Sequence, residues 1–348
     1  MLRSPKTCMS ILLLLACSTG KETVDDRLID TAATTSETPD DGSVSDDTSD
    51  PPETETGQQT NDTGQETGEP PVEPEPPRTL TTGRHTIEHE GRTRAFRLYL
   101  PDTLSDNAPL IMAFHGYGGS ARGIQRYAGL DELADTEGFA VVYPQSTRDT
   151  SGWNCWNIGY CDYEREVDDV AFARTVIDTV RTDQGLGQTF VTGMSNGGDM
   201  SYRMACEASD LVDAVAPVTG CLMNWLADVC TPATPPPMLH IHGNADNTTM
   251  WDGDESYTAG GYRSTLESIR FFADLHSAET YSTERITDAT DESAYTIHSW
   301  ATESGEVPVT LYEIDGGRHD WPTGRPDYDF DSAELMWSFF SRWSEEGR

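Results

Sequence analysis

Positive charge is scarce in this chain. Across 348 residues, 23 Lys and Arg stand against 60 Asp and Glu, giving a formal net charge of -37 and a pI near 4.3. Such a surface repels phosphate, which excludes nucleic acid as a partner. No apolar run is long enough to span a bilayer. No internal repeat of solenoid length is visible. No histidine pair has helical spacing beside a carboxylate, so neither a metal site nor a cofactor is expected. Residues 18–78 have hardly an apolar side chain, as in "ETPDDGSVSDDTSDPPETETGQQTNDTGQETGEPPVEPEPP". They can bury too little area to offset the entropy of ordering, so a disordered acidic tether is expected over 17–78. A flexible coil of about 60 residues reaches roughly 45 Å.

What precedes the tether is short and directional. "MLRSPKTCMSILLLLACSTG" starts basic with Arg3 and Lys6, runs apolar over 11–15 and ends at Cys17. The run suits a signal peptide over 1–16 rather than a membrane span. Leu14-Leu15-Ala16-Cys17 resembles a bacterial lipobox, whose cysteine becomes the lipidated first residue of the mature chain. That implies a membrane partner through Cys17. Several acyl chains on one residue anchor stably where one does not. Ser18 after the cysteine implies the outer membrane or cell surface, the alternative being periplasmic or secreted protein.

Residues 79–348 are enough for one large domain. Apolar runs at 95–101, 109–116, 139–145, 189–193, 214–220, 238–243 and 309–317 read as strands, several apolar throughout as strands covered on both faces are. Helical spacing occupies 130–138, 167–183, 196–209, 263–276 and 331–343, with Asp168 or Asp169 an N-cap. This alternation predicts an α/β fold, a mostly parallel central sheet with helices on both faces. "HTIEHEGRTRAFRLYL" reads as a hairpin turning at Glu90-Gly91, an antiparallel edge.

Gly193-Met194-Ser195-Asn196-Gly197 lies between a predicted strand and a predicted helix, the context a nucleophile elbow requires. A serine hydroxyl needs a base, and the base an orienting acid, in chain order Ser, Asp, His. Asp246 follows the strand at 238–243, with Asp252 and Asp254 as competitors, and His319 follows the strand at 309–317. All three loops lie at the C-terminal edge of the sheet. His240, within a strand, reads as packed, and His115 and His242 as loop-shaping residues. The oxyanion donors are read as the backbone N–H of Tyr117, with Gly116 or Gly118 in reserve, and that of Asn196.

With these residues in place, the chain resembles the α/β-hydrolase esterases grouped as polyhydroxybutyrate depolymerase-like and feruloyl or acetylxylan esterase-like, including lipoproteins of the LpqC type. The resemblance shows in "FHGYGG", "LADTEGFAVVYPQ", "VDDVAFARTVID", "VTGMSNGG", "YRMACEASDLVDAVAPVTG", "HIHGNAD", "GGRHDWP" and "AELMWSFF". It places Ser195, Asp246 and His319 on the family triad and Gly116-Tyr117 on its oxyanion loop. It implies a carboxylic-ester hydrolase acting on a polyester or on feruloyl or acetyl esters of polysaccharide. The other readings are a binding protein that keeps the fold without catalysis and an amidase or peptidase with the same triad. Asp199 departs from the family's small or apolar residue, and either pairs with Arg203 one turn on or points at the site.

Five cysteines follow the anchor, an odd count that leaves at least one unpaired. Cys155 with Cys161, and Cys221 with Cys230, are candidate disulfides closing short loops, and Cys206 is a candidate buried thiol. Around the first pair, Trp153, Trp156, Tyr160 and Tyr163 form either a platform for a polymer or acyl group or a hydrophobic plug. Trp251 is a further pocket candidate.

Overall fold

The computed structural model describes residues 78–163, 166–287, 294–324 and 328–344. The leader, Cys17 and all but the last residue of the tether lie outside the described residues. The strands are β1 Gly83–His89, β2 Arg92–Tyr99, β3 Leu110–Phe114, β4 Ala140–Pro144, β5 Thr147–Arg148, β6 Asn154–Cys155, β7 Thr189–Met194, β8 Ala214–Val218, β9 Met238–Gly243, β10 Thr280–Thr287, β11 Ala294–Ala301 and β12 Val309–Ile314. The α-helices are α1 Ala121–Tyr127, α2 Leu130–Glu137, α3 Asp169–Gln184, α4 Asn196–Glu207, α5 Asn224–Val229, α6 Thr265–Leu275 and α7 Ser332–Phe340.

Ten strands form one sheet in the order β1-β2-β4-β3-β7-β8-β9-β12-β11-β10, and β5 with β6 make a separate ribbon. From β4 to β12 every neighbour is parallel, and both ends are antiparallel. The central strands are buried throughout, which is why they read as continuous apolar runs. Alternation along each strand splits its side chains between two cores. Leu110, Met112 and Phe114 join α3, α4 and α6 on one face, whereas Ile111 and Ala113 join α1, α2 and α7 on the other. Phe190 stacks on Phe340 of α7 at 4.7 Å.

The hairpin at Glu90-Gly91 is present, with φ of 51° and 70° at its two loop residues, as a type I′ turn requires. Asp168 is the N-cap of α3, its carboxylate accepting from Ala171 N. Asp169 does something else. It is buried in an ion pair with Arg94 at 2.7 Å, and its other oxygen accepts from Asn157 N. The β10–β11 hairpin was not legible in the sequence. β10 is an edge strand exposed along nearly its whole length, so it carries no apolar alternation. Among the described residues no helix is long and apolar enough to cross a membrane.

Candidate active site

Three glycines allow the turn that carries Ser195. A Cβ on Gly193 would lie 2.3 Å from Gly197 O, and one on Gly197 would lie 2.1 Å from Phe114 O. With neither present, β7 runs directly against the start of α4. Ser195 sits between them at φ 57° and ψ -124°. A serine in that conformation carries strain of order 1–3 kcal/mol. The surroundings hold it there, because Ser195 N–H donates to Val218 O at 2.9 Å and Asp199 N–H to Ser195 O at 2.9 Å. Gly198 lies against Gly220, where a Cβ would come within 2.9 Å.

Asp246 and His319 meet. His319 Nδ1 is 2.7 Å from Asp246 Oδ2, while Asp246 Oδ1 accepts from the amides of Thr248 and Thr249. Burial by itself would raise the Asp246 carboxyl. Hydrogen bonds from His242 and His319 and the charge of His319 outweigh it, holding the group well below the usual carboxylate range. Asp254 is used elsewhere, accepting from the Ser256 amide and hydroxyl, and Asp252 is exposed.

The loop after β3 closes over the elbow. A Cβ on Gly116 would meet Ser195 Cβ at 3.4 Å, so this backbone lies directly against the serine. Gly118 N–H is committed to Asn154 O at 2.8 Å, which removes the reserve donor expected at that position. His115 shapes the loop. Its Nε2 faces the Ser146 amide at 3.3 Å and accepts, so Nδ1 carries the proton and donates to Gly116 O at 2.8 Å. Burial lowers its pKa to about 4, keeping it neutral. The Asn196 side chain, invisible as a functional element in the sequence, clamps the neighbouring loop. Its Oδ1 accepts from Trp156 N at 2.7 Å and its Nδ2 donates to Trp156 O and Tyr160 Oη.

The tryptophans do not line the cavity. Trp156 is fully buried, donates Nε1–H to His115 O and meets Phe114 edge-on at 4.9 Å, so it is a plug and not a substrate contact. Trp251 packs edge-on against the His242 ring at 5.9 Å. Trp153 is 57% exposed and lies over Gly118. The cavity at Ser195, of about 350 Å³, is lined instead by Tyr117, Tyr160, Tyr257, Tyr262, Asp199 and Cys221 among others. Tyr257 and Tyr262 come from a loop with no periodicity, and only the folded chain brings them to the serine.

Asp199 points into this cavity. Arg203 bonds Glu207 and Asn157 O, so the expected pairing with Asp199 does not form. Asp199 accepts from Cys221 N at 2.7 Å, Tyr160 Oη at 2.9 Å and Cys221 Sγ at 3.3 Å. Burial pushes its carboxyl up to about 6, against the opposing pull of those bonds and the charge of His319. The disulfide pairing is corrected by the same geometry. Cys155 joins Cys161, but Cys230 joins Cys206 from the end of α4, and Cys221 is a free buried thiol held at Asp199.

The chain is similar to known esterases in sequence and in fold. The family model described as esterase PHB depolymerase matches residues 94–225. A putative esterase, NocK, of Nocardia uniformis subsp. tsuyamanensis is 31% identical over 278 residues, covering 74% of this chain and 79% of the relative. Feruloyl esterase B of Piromyces equi is 27% identical over 64% of this chain and 41% of its own length. Poly(3-hydroxyalkanoate) depolymerase C of Paucimonas lemoignei is 24% identical over 67% and 59%. The chain thus spans less than two thirds of the latter two. In fold it is similar to an acetyl xylan esterase from Aspergillus awamori, with a TM-score of 0.56 at 16% identity over 74% of this chain and 99% of that one. An elbow serine in a sheet of this order, in a chain related to NocK over most of its length, makes this protein an α/β-hydrolase and a member of the PHB depolymerase-type esterases, which are carboxylic ester hydrolases.

Proposed function

We propose that the chain is an exported serine esterase that removes a short or phenolic acyl group from a polysaccharide. The observation that carries the chemistry is the 2.7 Å contact of His319 Nδ1 with Asp246 Oδ2, on loops that leave the same edge of the parallel sheet as the strained Ser195. An ionised Asp246 only accepts, so His319 Nδ1 donates and Nε2 is left bare to act as a base. His319 takes the Ser195 hydroxyl proton as Oγ attacks the ester carbonyl, and the proton passes to the departing alkoxide. Water repeats the sequence on the acyl-enzyme and releases the acid, with no cofactor. The amides of Tyr117, Gly116 and Asn196 are the donors for the oxyanion in this reading, each such donor being worth roughly 3 kcal/mol.

The acyl preference rests on the cavity. About 350 Å³ walled by four tyrosines and Asp199 suits one acetyl or hydroxycinnamoyl group, and Asp199 offers an acceptor to a phenolic hydroxyl. The feruloyl and acetylxylan esterases among the relatives favour the same reading, and the polyhydroxyalkanoate depolymerase keeps a polyester as the second. Rates on methyl ferulate, acetylated xylan and polyhydroxybutyrate separate these substrates. Turnover of the polyester alone would overturn the first reading.

Export and anchoring complete the proposal. Two disulfides fit an oxidising compartment, and the acidic tether after Cys17 would hold the domain off the membrane. Replacement of Cys17 by Ser should release the protein from the membrane fraction or leave it unprocessed. Unchanged retention would mean that Cys17 is not the anchor.

A further inference from the structure

Behind Asp246 lies a row of buried polar side chains that the reaction does not consume. His240 and His242 are two residues apart on β9, so both face the same side of the sheet, toward α4 and α6. Both are fully buried, and their rings are stacked with centroids 5.2 Å apart. Tyr202 Oη of α4 is 2.8 Å from His240 Nδ1, and His240 Nε2 is 2.9 Å from His242 Nδ1. His242 Nε2 is 2.9 Å from Thr249 O and 3.3 Å from Asp246 Oδ2, the oxygen that also receives His319.

The direction of these bonds is fixed by the far end. A carbonyl and an ionised carboxylate accept only, so His242 Nε2 must carry the proton. In the neutral ring Nδ1 is then bare, and it accepts Nε2–H from His240, with Thr265 Oγ1 of α6 at 3.5 Å as a second donor. His240 Nδ1 is in turn bare and accepts from the Tyr202 hydroxyl. A second proton on His242 would reverse both inner bonds. It would leave the buried Tyr202 hydroxyl hydrogen without its acceptor. Burial also keeps His240 from taking a proton, its pKa lying well below the usual histidine value.

We infer that His242, oriented by His240 and Tyr202, is a positioning residue for the catalytic acid. Its Nε2–H, shared between Thr249 O at 2.9 Å and Asp246 Oδ2 at 3.3 Å, gives that carboxylate oxygen a second donor besides His319. With two amides on Oδ1, the carboxylate cannot turn away from the imidazole. The second hydrogen bond on Oδ2 also lowers that oxygen's basicity, so the proton stays on His319 when the imidazolium forms. This inference rests on Asp246 being the acid of the triad.

The test measures kcat and KM on p-nitrophenyl acetate for His242→Phe, His242→Gln, Asp246→Asn and His242→Phe with Asp246→Asn, in the full chain. His242→Phe should lower kcat on the order of tenfold or more with KM unchanged, one tenfold step corresponding to about 1.4 kcal/mol. His242→Gln, whose amide can donate to Asp246 and accept from His240, should recover most of it. In the Asp246→Asn background His242→Phe should cost nothing further. Wild-type kcat in folded His242→Phe, or an undiminished loss in the Asp246→Asn background, would overturn the inference while leaving the triad standing. Full activity of Asp246→Asn would instead remove the triad reading itself. Should His242→Phe fail to fold, ¹⁵N spectra of histidine-labelled wild type still decide. Neutral Nε2–H tautomers at both His240 and His242 support the inference, and an Nδ1–H tautomer or imidazolium at His242 overturns it.

Discussion

His319 Nδ1 lies 2.7 Å from Asp246 Oδ2 across loops that follow two neighbouring parallel strands, β12 and β9. The two residues are 73 apart in the chain, so the sheet alone brings them together. Asp246→Asn should lower kcat by on the order of 10⁴, because its amide favours the wrong imidazole tautomer, with little change in the fold. Steady-state kinetics beside a circular dichroism spectrum checks this. Because the Asp246 carboxyl is depressed, its stabilising contribution is complete above the unfolded value of about 4 and disappears only as pH falls through the lower folded value.

Asp199 has the opposite sign. Its folded pKa of about 6 lies above the unfolded value of 3.8, so its ionisation destabilises the fold progressively as pH rises from about 4 to 6. Above 6 the cost is fully present, and below about 4 it is absent. Asp199→Asn should therefore raise the melting temperature by a few degrees at pH 7–8, and the gain should vanish near pH 4. The replacement amide oxygen still accepts from Cys221 N. A gain independent of pH would show that the carboxylate charge is not the cause.

Trp156 and Trp153 should behave as different kinds of residue. Trp156→Ala empties a fully buried site and should cost about 3–5 kcal/mol, lowering activity on large and small esters in proportion to folded protein. Trp153→Ala should change stability by less than about 0.5 kcal/mol. Thermal melts with rates on p-nitrophenyl acetate and a feruloylated oligosaccharide measure both. A Trp156→Ala enzyme as stable as wild type would contradict the plug.

The Cys206–Cys230 disulfide closes a separation of 24 residues, for which loop-closure entropy predicts about 3 kcal/mol of stabilisation. Cys230→Ser should lose that amount in a denaturant titration. Non-reducing peptide mapping should join 206 to 230 and return Cys221 as a free thiol. A 221–230 linkage would reverse the correction.

Much of this arrangement was legible in the sequence because its signals are local. The glycines about Ser195 report a close approach of backbones, and the continuous apolar runs report strands covered on both faces. His319 and Asp246 stand at strand ends, with Asp252 and Asp254 further along the same loop as the alternatives for the acid. What was not legible depends on which faces meet. Cys230 pairs with Cys206 at the end of α4, whereas Cys221, nearer to it in sequence, is held at Asp199. Trp156 is drawn inward by Asn196 and His115, although its sequence neighbourhood does not differ from that of exposed Trp153. Tyr257 and Tyr262 reach the cavity through a loop whose path no spacing encodes. β10 is written in polar residues because solvent covers it.

The central claim is that Ser195 is the nucleophile. A fluorophosphonate probe incubated with the full chain, followed by peptide mass spectrometry, tests it most directly. The account predicts a single phosphonylated serine at 195, loss of p-nitrophenyl acetate hydrolysis in step with labelling, and neither labelling nor turnover in Ser195→Ala. Labelling at another residue, or an active Ser195→Ala enzyme, would contradict it.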